Sequence, residues 1–198
     1  LVLAEVGGVM QEALPDTVLE CTGDWARGIE RGLRVRLYEH EVLDDDHVIE
    51  PWIQTNWKVT VTPFVEEREV HVHRADNAGR LGARSWDAPV RDLRRDFGKL
   101  RRREYSVDRQ ATLAEREALE ELFRGILPVR IRGAFWWTMG MTWNAIELIG
   151  LEGLMLAMYD DPEGLHRLMA YLRDEHLRYA EWLEAEGLLT LNNENRSE

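Results

Sequence analysis

The sequence is poor in cysteine and in basic residues, and both shortages exclude classes of protein. Cys21 is the only cysteine among 198 residues, so one chain cannot form a disulfide framework or a zinc site made of several thiolates. Asp and Glu number 37 against 25 Lys and Arg, which gives a formal net charge of -12. Phosphate contacts require a positive surface. We therefore expect a protein of a reducing compartment that has no nucleic-acid partner.

Long apolar runs and familiar catalytic motifs are also missing. The apolar runs are too short to cross a bilayer, and there is no signal peptide, so the sequence predicts a cytoplasmic protein with no membrane partner. It contains no GxSxG, P-loop or HExxH pattern, and no GxGxxG followed by a distant acidic residue. The sequence starts at Leu1 in a strand-like run and ends on Arg196-Ser197-Glu198 after a predicted strand, so we expect a piece of a longer protein.

Strand and helix signals alternate along the chain. Apolar patterns predict parallel strands over residues 1–6, 48–53, 127–132 and 188–192. Helical periodicity predicts the connections over residues 24–43, 108–123, 146–160 and 162–186, with a further short helix within 91–104 and a brief strand at 105–107. Asp108 can cap the helix over 108–123. Helical crossovers between strands are typical of an α/β fold.

The clearest unit covers residues 127–195. After the strand at 127–132, Asp161 can cap a long helix and Pro162 can occupy its first position, where no N–H is needed. Gly187 can end that helix, and the chain returns as a strand. A strand, a helical crossover and a second strand predict parallel neighbours in one sheet.

Residues 56–86 differ from the rest, because Val and Thr alternate with polar residues around the turn-forming segment 76–79. This pattern predicts a β-hairpin insertion, or a three-stranded excursion from the main sheet, after the second strand. A complete eight-fold barrel needs about 250 residues. The sequence therefore predicts one domain over 1–198 that is the middle portion of a (β/α) TIM-type barrel. A partial barrel leaves open strand edges, so we expect self-association.

Strand parity predicts where a ligand would bind. Apolar residues on one side of the strands are expected to face the covering helices: Ile49, Ile53, Val129, Ile131, Leu189 and Leu191. The opposite, lumen-facing side then carries Glu50, Trp52, Arg130, Arg132, Thr190, Asn192 and Glu194. These residues lie near carboxyl ends of strands, where barrels bind ligands. The alternative is a set of interior ion pairs, such as Glu50 with Arg130, without a catalytic role.

The lumen-facing residues suggest roles in binding and proton transfer. Arg130 and Arg132 would hold carboxylates of an anionic small molecule, because a guanidinium fork matches two carboxylate oxygens, and Asn192 would belong to the same binding site. Glu50 or Glu194 would donate or accept a proton if burial raised its pKa toward neutrality.

Two further groups have both a functional and a structural interpretation. Trp136 and Trp137 follow the arginine-bearing strand and would either wall a pocket for a flat ligand or pack beneath a loop. His71 and His73 would lie on one face of a strand, but no third metal ligand is evident from the spacing. We favour a solvated hairpin face there and expect no bound metal.

Several short motifs follow one another in a particular order. A strand ends at Gly133, an aromatic loop follows, and a later helix begins with Pro162-Glu163 and continues through His166 and Leu168. Glu186-Gly187 then leads into a strand. Upstream lie HVIEPWI, a predicted hairpin and WDAPVRDLRRDFGKL. From about residue 24 onward, this order of motifs resembles that of the uroporphyrinogen decarboxylase superfamily, in which a strand, a hairpin and an edge helix precede the aromatic loop.

The resemblance implies a barrel with its pocket at the carboxyl ends of the strands, and one of two activities. The decarboxylases of this superfamily remove acetate carboxyls from a tetrapyrrole without a cofactor, and arginines hold the carboxylates. The related methyltransferases use zinc and a corrinoid methyl donor. We expect decarboxylation of a carboxylated, tetrapyrrole-type small molecule without a cofactor. The alternatives are zinc- and corrinoid-linked methyl transfer and a truncated, non-catalytic binding module.

The sequence departs from the family pattern at four places. Glu5-Val6-Gly7-Gly8 stands where the decarboxylases have an Arg-Gln-Ala-Gly-Arg segment, and Glu50 is the carboxylate nearest to their strand-end Asp. Met141 or Trp143 falls where their pocket Tyr lies. The zinc ligands of the methyltransferases would lie beyond residue 198. A divergent, truncated member of the superfamily is therefore the expectation.

Overall fold

The computed structural model describes residues 10–44, 46, 48–66, 72–74, 84–133 and 140–191. The chain divides into two compact units, residues 1–51 with 193–197 and residues 52–192 with 198. The single domain predicted over 1–198 stays a prediction.

The first unit is organised around one long helix. Its helical segments are α1 (Met10–Ala13), a 3-10 turn (Asp16–Val18), α2 (Asp24–Tyr38) and a π-helical turn (Glu39–Leu43). Gly23 precedes α2 with φ 85°, and Asp44 follows the π-helical turn in the left-handed region with φ 47°. The helix predicted over residues 24–43 is confirmed.

The Glu30 side chain holds the loop before α2 against that helix. Its carboxylate accepts hydrogen bonds from the backbone N–H groups of Glu20 at 2.9 Å and Cys21 at 2.8 Å. Arg34 Nε, one turn further along α2, donates to the same carboxylate at 2.8 Å. The bonds from Glu20 and Cys21 stabilise the charged form and lower the pKa of Glu30 to about 2. The loop is therefore tethered by an ionised carboxylate.

This tether predicts a local acid transition. The pKa of Glu30 in the folded chain lies below its ordinary value of 4.5, so the tether stabilises the loop above that pH and is lost as the pH falls through about 2. We expect the NMR amide shifts of Glu20 and Cys21 to change over this window. Glu30→Gln should abolish the change, and Glu41→Gln should preserve it. An unaltered titration in Glu30→Gln would contradict the assignment.

The strands of the second unit form three two-stranded sheets within the described ranges. The pairs are parallel β1 (Ile53–Asn56) with β6 (Val129–Arg132), antiparallel β2 (Lys58–Val61) with β5 (Tyr105–Asp108), and antiparallel β3 (Val72–Arg74) with β4 (Arg84–Trp86). The strand elements close no barrel in the part of the chain that the structure describes. The mixed α/β class is confirmed.

The strand predicted over residues 48–53 begins too early. Residues 48–50 are unpaired and pairing starts only at Ile53. Pro51 explains the shift, because it has no N–H to donate to a sheet and restricts the residue before it. Ile49 is exposed rather than packed under a helix, and so are Leu189 and Leu191. The parity prediction was wrong for these three residues.

Two other sheet predictions differ from the structure: the strand over 188–192 and the hairpin over 56–86. Residues 188–191 form no strand, and the predicted strand over 1–6 lies outside the described residues. Among the described residues of 56–86, β3 and β4 form an antiparallel pair as a hairpin would, whereas β2 pairs with the distant β5. That long-range pairing leaves no signal in the local alternation of Val and Thr.

The short helix predicted within residues 91–104 is only a 3-10 turn, Phe97–Lys99. Asp92 Oδ1 accepts from the N–H groups of Arg94 and Arg95, both at 2.9 Å. Asp96 Oδ2 accepts from the N–H of Arg91 at 3.1 Å. Aspartate side chains here bind backbone donors in place of helical carbonyls, which is how Asp favours turns over helices.

The helices of the second unit follow their capping signals. They are α3 (Arg109–Leu122), α4 (Thr142–Ile149), α5 (Leu151–Asp160) and α6 (Pro162–Ala185). Asp108 accepts from the N–H of Ala111 at 2.8 Å, and Asp161 accepts from that of Gly164 at 3.2 Å. Both predicted caps are confirmed. Gly150, with φ 76°, separates α4 from α5, where the sequence predicted one helix.

The core of the second unit lies between α4, α5 and α6. Leu168 and Leu172 of α6 are fully buried there, and Leu148 of α4 and Leu154 of α5 are largely buried beside them. Val90 joins the same cluster and donates its N–H to the carbonyl of Leu148 at 3.0 Å. These contacts hold α6 against α4 and α5.

Glu175 of α6 is a buried carboxylate with several partners. It accepts from the backbone N–H of Arg103 at 2.9 Å and forms an ion pair with Arg178. Tyr105 donates its hydroxyl to the Glu175 carbonyl at 3.0 Å. Burial, with a smaller contribution from the Glu175 charge, raises the pKa of Tyr171 to about 12. These bonds fasten α6 to β5 and to the segment before it.

Glu175→Ala should destabilise the protein by about 3 kcal/mol, because it leaves the Arg178 charge and the Arg103 N–H without their buried acceptor. Urea unfolding measures the change. Glu181→Ala, at an exposed position of the same helix, should cost less than about 0.5 kcal/mol. Similar losses in both variants would show that Glu175 has no special structural role.

Candidate functional site

The parallel pairing of β1 and β6 brings four polar side chains onto one face. Gln54 lies opposite Arg130 and Asn56 lies opposite Arg132 in the register. The alternate positions are apolar or small, and Ile53 and Thr55 among them are buried, while α3 packs against both strands. The face with Gln54, Asn56, Arg130 and Arg132 is called the polar face below. It ends at Asn56 and Arg132, at the carboxyl ends of both strands.

Aromatic and amide contacts order the polar face. The Arg130 guanidinium lies 3.9 Å from the centroid of the Trp52 ring, a cation–π contact that favours one orientation of the arginine. Gln54 Nε2 donates to Asn56 Oδ1 at 2.9 Å. Gln54 Oε1 is buried and has no hydrogen-bond partner among the residues described. The face thus combines two guanidinium groups with amide groups that can donate or accept.

Gly133 brings the segment after α6 to the carboxyl end of β6. Its N–H donates to Thr190 Oγ1 at 3.2 Å. A Cβ on Gly133 would lie 2.1 Å from the carbonyl oxygen of Leu188, far inside van der Waals contact. Only glycine permits this approach. Residues 188–190 therefore lie at the carboxyl end of β6, where the polar face ends, although they form no strand.

The structure places some of the predicted site residues and not others. Arg130 and Arg132 share the polar face. Glu50 precedes β1 in the first compact unit, and its role as proton donor or acceptor stays a prediction. The other predicted site residues lie outside the described part of the chain: Trp136, Trp137, Asn192 and Glu194.

Gln54 and Asn56 were missed by the sequence analysis. The strand was predicted to end at residue 53, so the polar residues directly after it were not considered as strand residues. The signal was present, since Gln54 and Asn56 alternate with Ile53 and Thr55. Recognising that Pro51 delays pairing would have moved the strand and revealed both amides.

The described residues contain no group of three or more His, Cys, Asp and Glu side chains placed to hold a metal ion. His71 lies outside those residues, and the side chain of His73 is also outside them. No helix in the described ranges combines the length and apolar character needed to span a membrane.

Comparison with protein families, with curated proteins and with solved structures found no match to this chain.

Gly133→Ala should destabilise the protein by about 2 kcal/mol, because the added methyl group must displace the backbone of Leu188. Urea unfolding checks this value. Gly98→Ala is the matched control, since a Cβ there meets nothing within 4 Å. Equal stability of the two variants would mean that residues 188–190 are not held against β6.

Proposed function

We propose that the polar face binds an anionic small molecule that carries at least two carboxylates. The observation that supports this proposal is the position of Arg130 and Arg132 on one face beside the two amides. Alternate residues of a strand lie about 7 Å apart, so the two guanidinium groups suit two carboxylates of one molecule. Arginine binds carboxylates through two parallel N–H bonds.

The reaction we propose is decarboxylation of a tetrapyrrole-type carboxylate, as the resemblance to the uroporphyrinogen decarboxylase superfamily implies. In this proposal the arginines hold and orient the carboxylates, and Glu50 or Glu194 donates or accepts the proton. Binding and reaction are separate parts of the proposal, and they need separate tests.

Calorimetric titration with a polycarboxylated porphyrin tests the binding step. Arg130→Gln and Arg132→Gln should each weaken binding about tenfold, the cost of losing a hydrogen bond to a charged group. The porphyrin methyl ester should bind weakly, because it lacks the anionic oxygens. Arg124→Gln is the matched control, since Arg124 is exposed and pairs with Glu121 at another place on the same unit. Equal losses in the control and site variants would refute the polar face as the binding site.

The release of carbon dioxide from the reduced porphyrinogen tests the reaction. Glu50→Gln should slow release and leave binding unchanged if Glu50 transfers the proton. Binding that depends on the arginines, without any release by the unaltered protein, would favour the non-catalytic binding module.

A further inference from the structure

The outward side of α5 is apolar and exposed to solvent. Five large side chains are each more than half exposed: Leu151, Met155, Leu156, Met158 and Tyr159. The other side of the helix packs into the core through Leu154 and Ala157. The five exposed residues are called the α5 face below. Because α5 is apolar on both sides, its outward side is not explained by packing in the second unit.

The arrangement of the α5 face is that of a binding surface. Leu151, Met155 and Tyr159 recur every four residues, so they form one continuous stripe along the helix, and Met158 lies beside it. Contiguous apolar patches of this kind mark interaction sites, whereas singly exposed apolar residues are normal. Methionine side chains are flexible and adapt to the shape of a partner.

Charge around the α5 face selects the partner. Residues 133–165 contain five acidic residues and no Lys or Arg. Asp161 is paired with Arg94 at 3.2 Å. Glu152 and Asp160 are exposed on α5 itself, and Glu163 is exposed in the first turn of α6. The apolar stripe is therefore bordered by carboxylates at both ends of α5.

We propose that the α5 face binds a basic amphipathic helix of another protein. The apolar side of that helix packs on the stripe, and its Lys and Arg side chains meet Glu152, Asp160 and Glu163. A second copy of this chain is a poor occupant, because it would bring the same carboxylates and a formal net charge of -12. An anionic lipid surface is disfavoured for the same reason. This proposal does not depend on the polar face.

Synthetic helical peptides test the proposal by fluorescence anisotropy. The first peptide places Leu on one side of a helix and Lys on the other. Two matched peptides replace Lys with Glu, or keep the composition and scramble the order. We expect only the first peptide to bind, and its affinity should fall as salt screens the charges.

Variants identify the surface that binds. Leu151→Ser with Met155→Ser should weaken binding at least about tenfold, because two apolar contacts are lost. Leu113→Ser with Leu177→Ser is the matched control, since both leucines are exposed on other helices of the same unit. Glu152→Gln with Asp160→Asn should weaken binding and reduce its dependence on salt. Circular dichroism verifies that each variant is folded.

Four outcomes would overturn the proposal. Equal binding of the Leu/Glu peptide would show that charge does not select the partner. An equal loss of binding in the control pair would show that the peptide does not bind at the α5 face. Dimers that Leu151→Ser with Met155→Ser abolishes would identify a second copy as the occupant. Binding to anionic vesicles that Leu151→Ser with Met155→Ser weakens would identify an anionic membrane as the occupant.

Discussion

The parallel register of β1 against β6 is the constraint on which the candidate site depends. A shift of one residue would exchange the two faces of a strand, because successive side chains point to opposite sides. Ile53 and Thr55 are buried, and α3 packs against both strands. The free energy of apolar burial therefore fixes the register. The same register that buries Ile53 places Arg130 and Arg132 beside Gln54 and Asn56.

Arginine serves two different purposes in the second unit. Arg103 and Arg178 belong to the packing of α6, where they contact aromatic rings and the Glu175 carboxylate. Arg130 instead contacts Trp52 on a sheet face and remains exposed. A partly buried arginine whose hydrogen-bond acceptors belong to the same fold stabilises that fold. An exposed arginine held by an aromatic ring is ordered before a ligand arrives, and this lowers the entropic cost of binding an anion.

Sequence analysis succeeded where the signal lies within a few residues and failed where it depends on distant partners. The caps at Asp108 and Asp161 are local hydrogen bonds, and both were predicted. The pairing of β2 with β5 joins residues more than forty positions apart, and no local pattern encodes it. For the site, parity identified Arg130 and Arg132, but Pro51 displaced the strand and hid the two amides. Local sequence patterns thus predicted which side chains form a polar face better than they predicted which distant residues pair with each other.

The overall charge of the chain makes the two proposed surfaces distinct. A formal net charge of -12 repels anions at long range, but at physiological salt the interaction is screened beyond about 8 Å. An anion near the polar face is therefore governed by the two arginines rather than by the whole chain. Around the α5 face the local and the overall charge have the same sign, so a cationic partner is attracted at both ranges. Association at the α5 face should consequently gain more from electrostatic steering than association at the polar face.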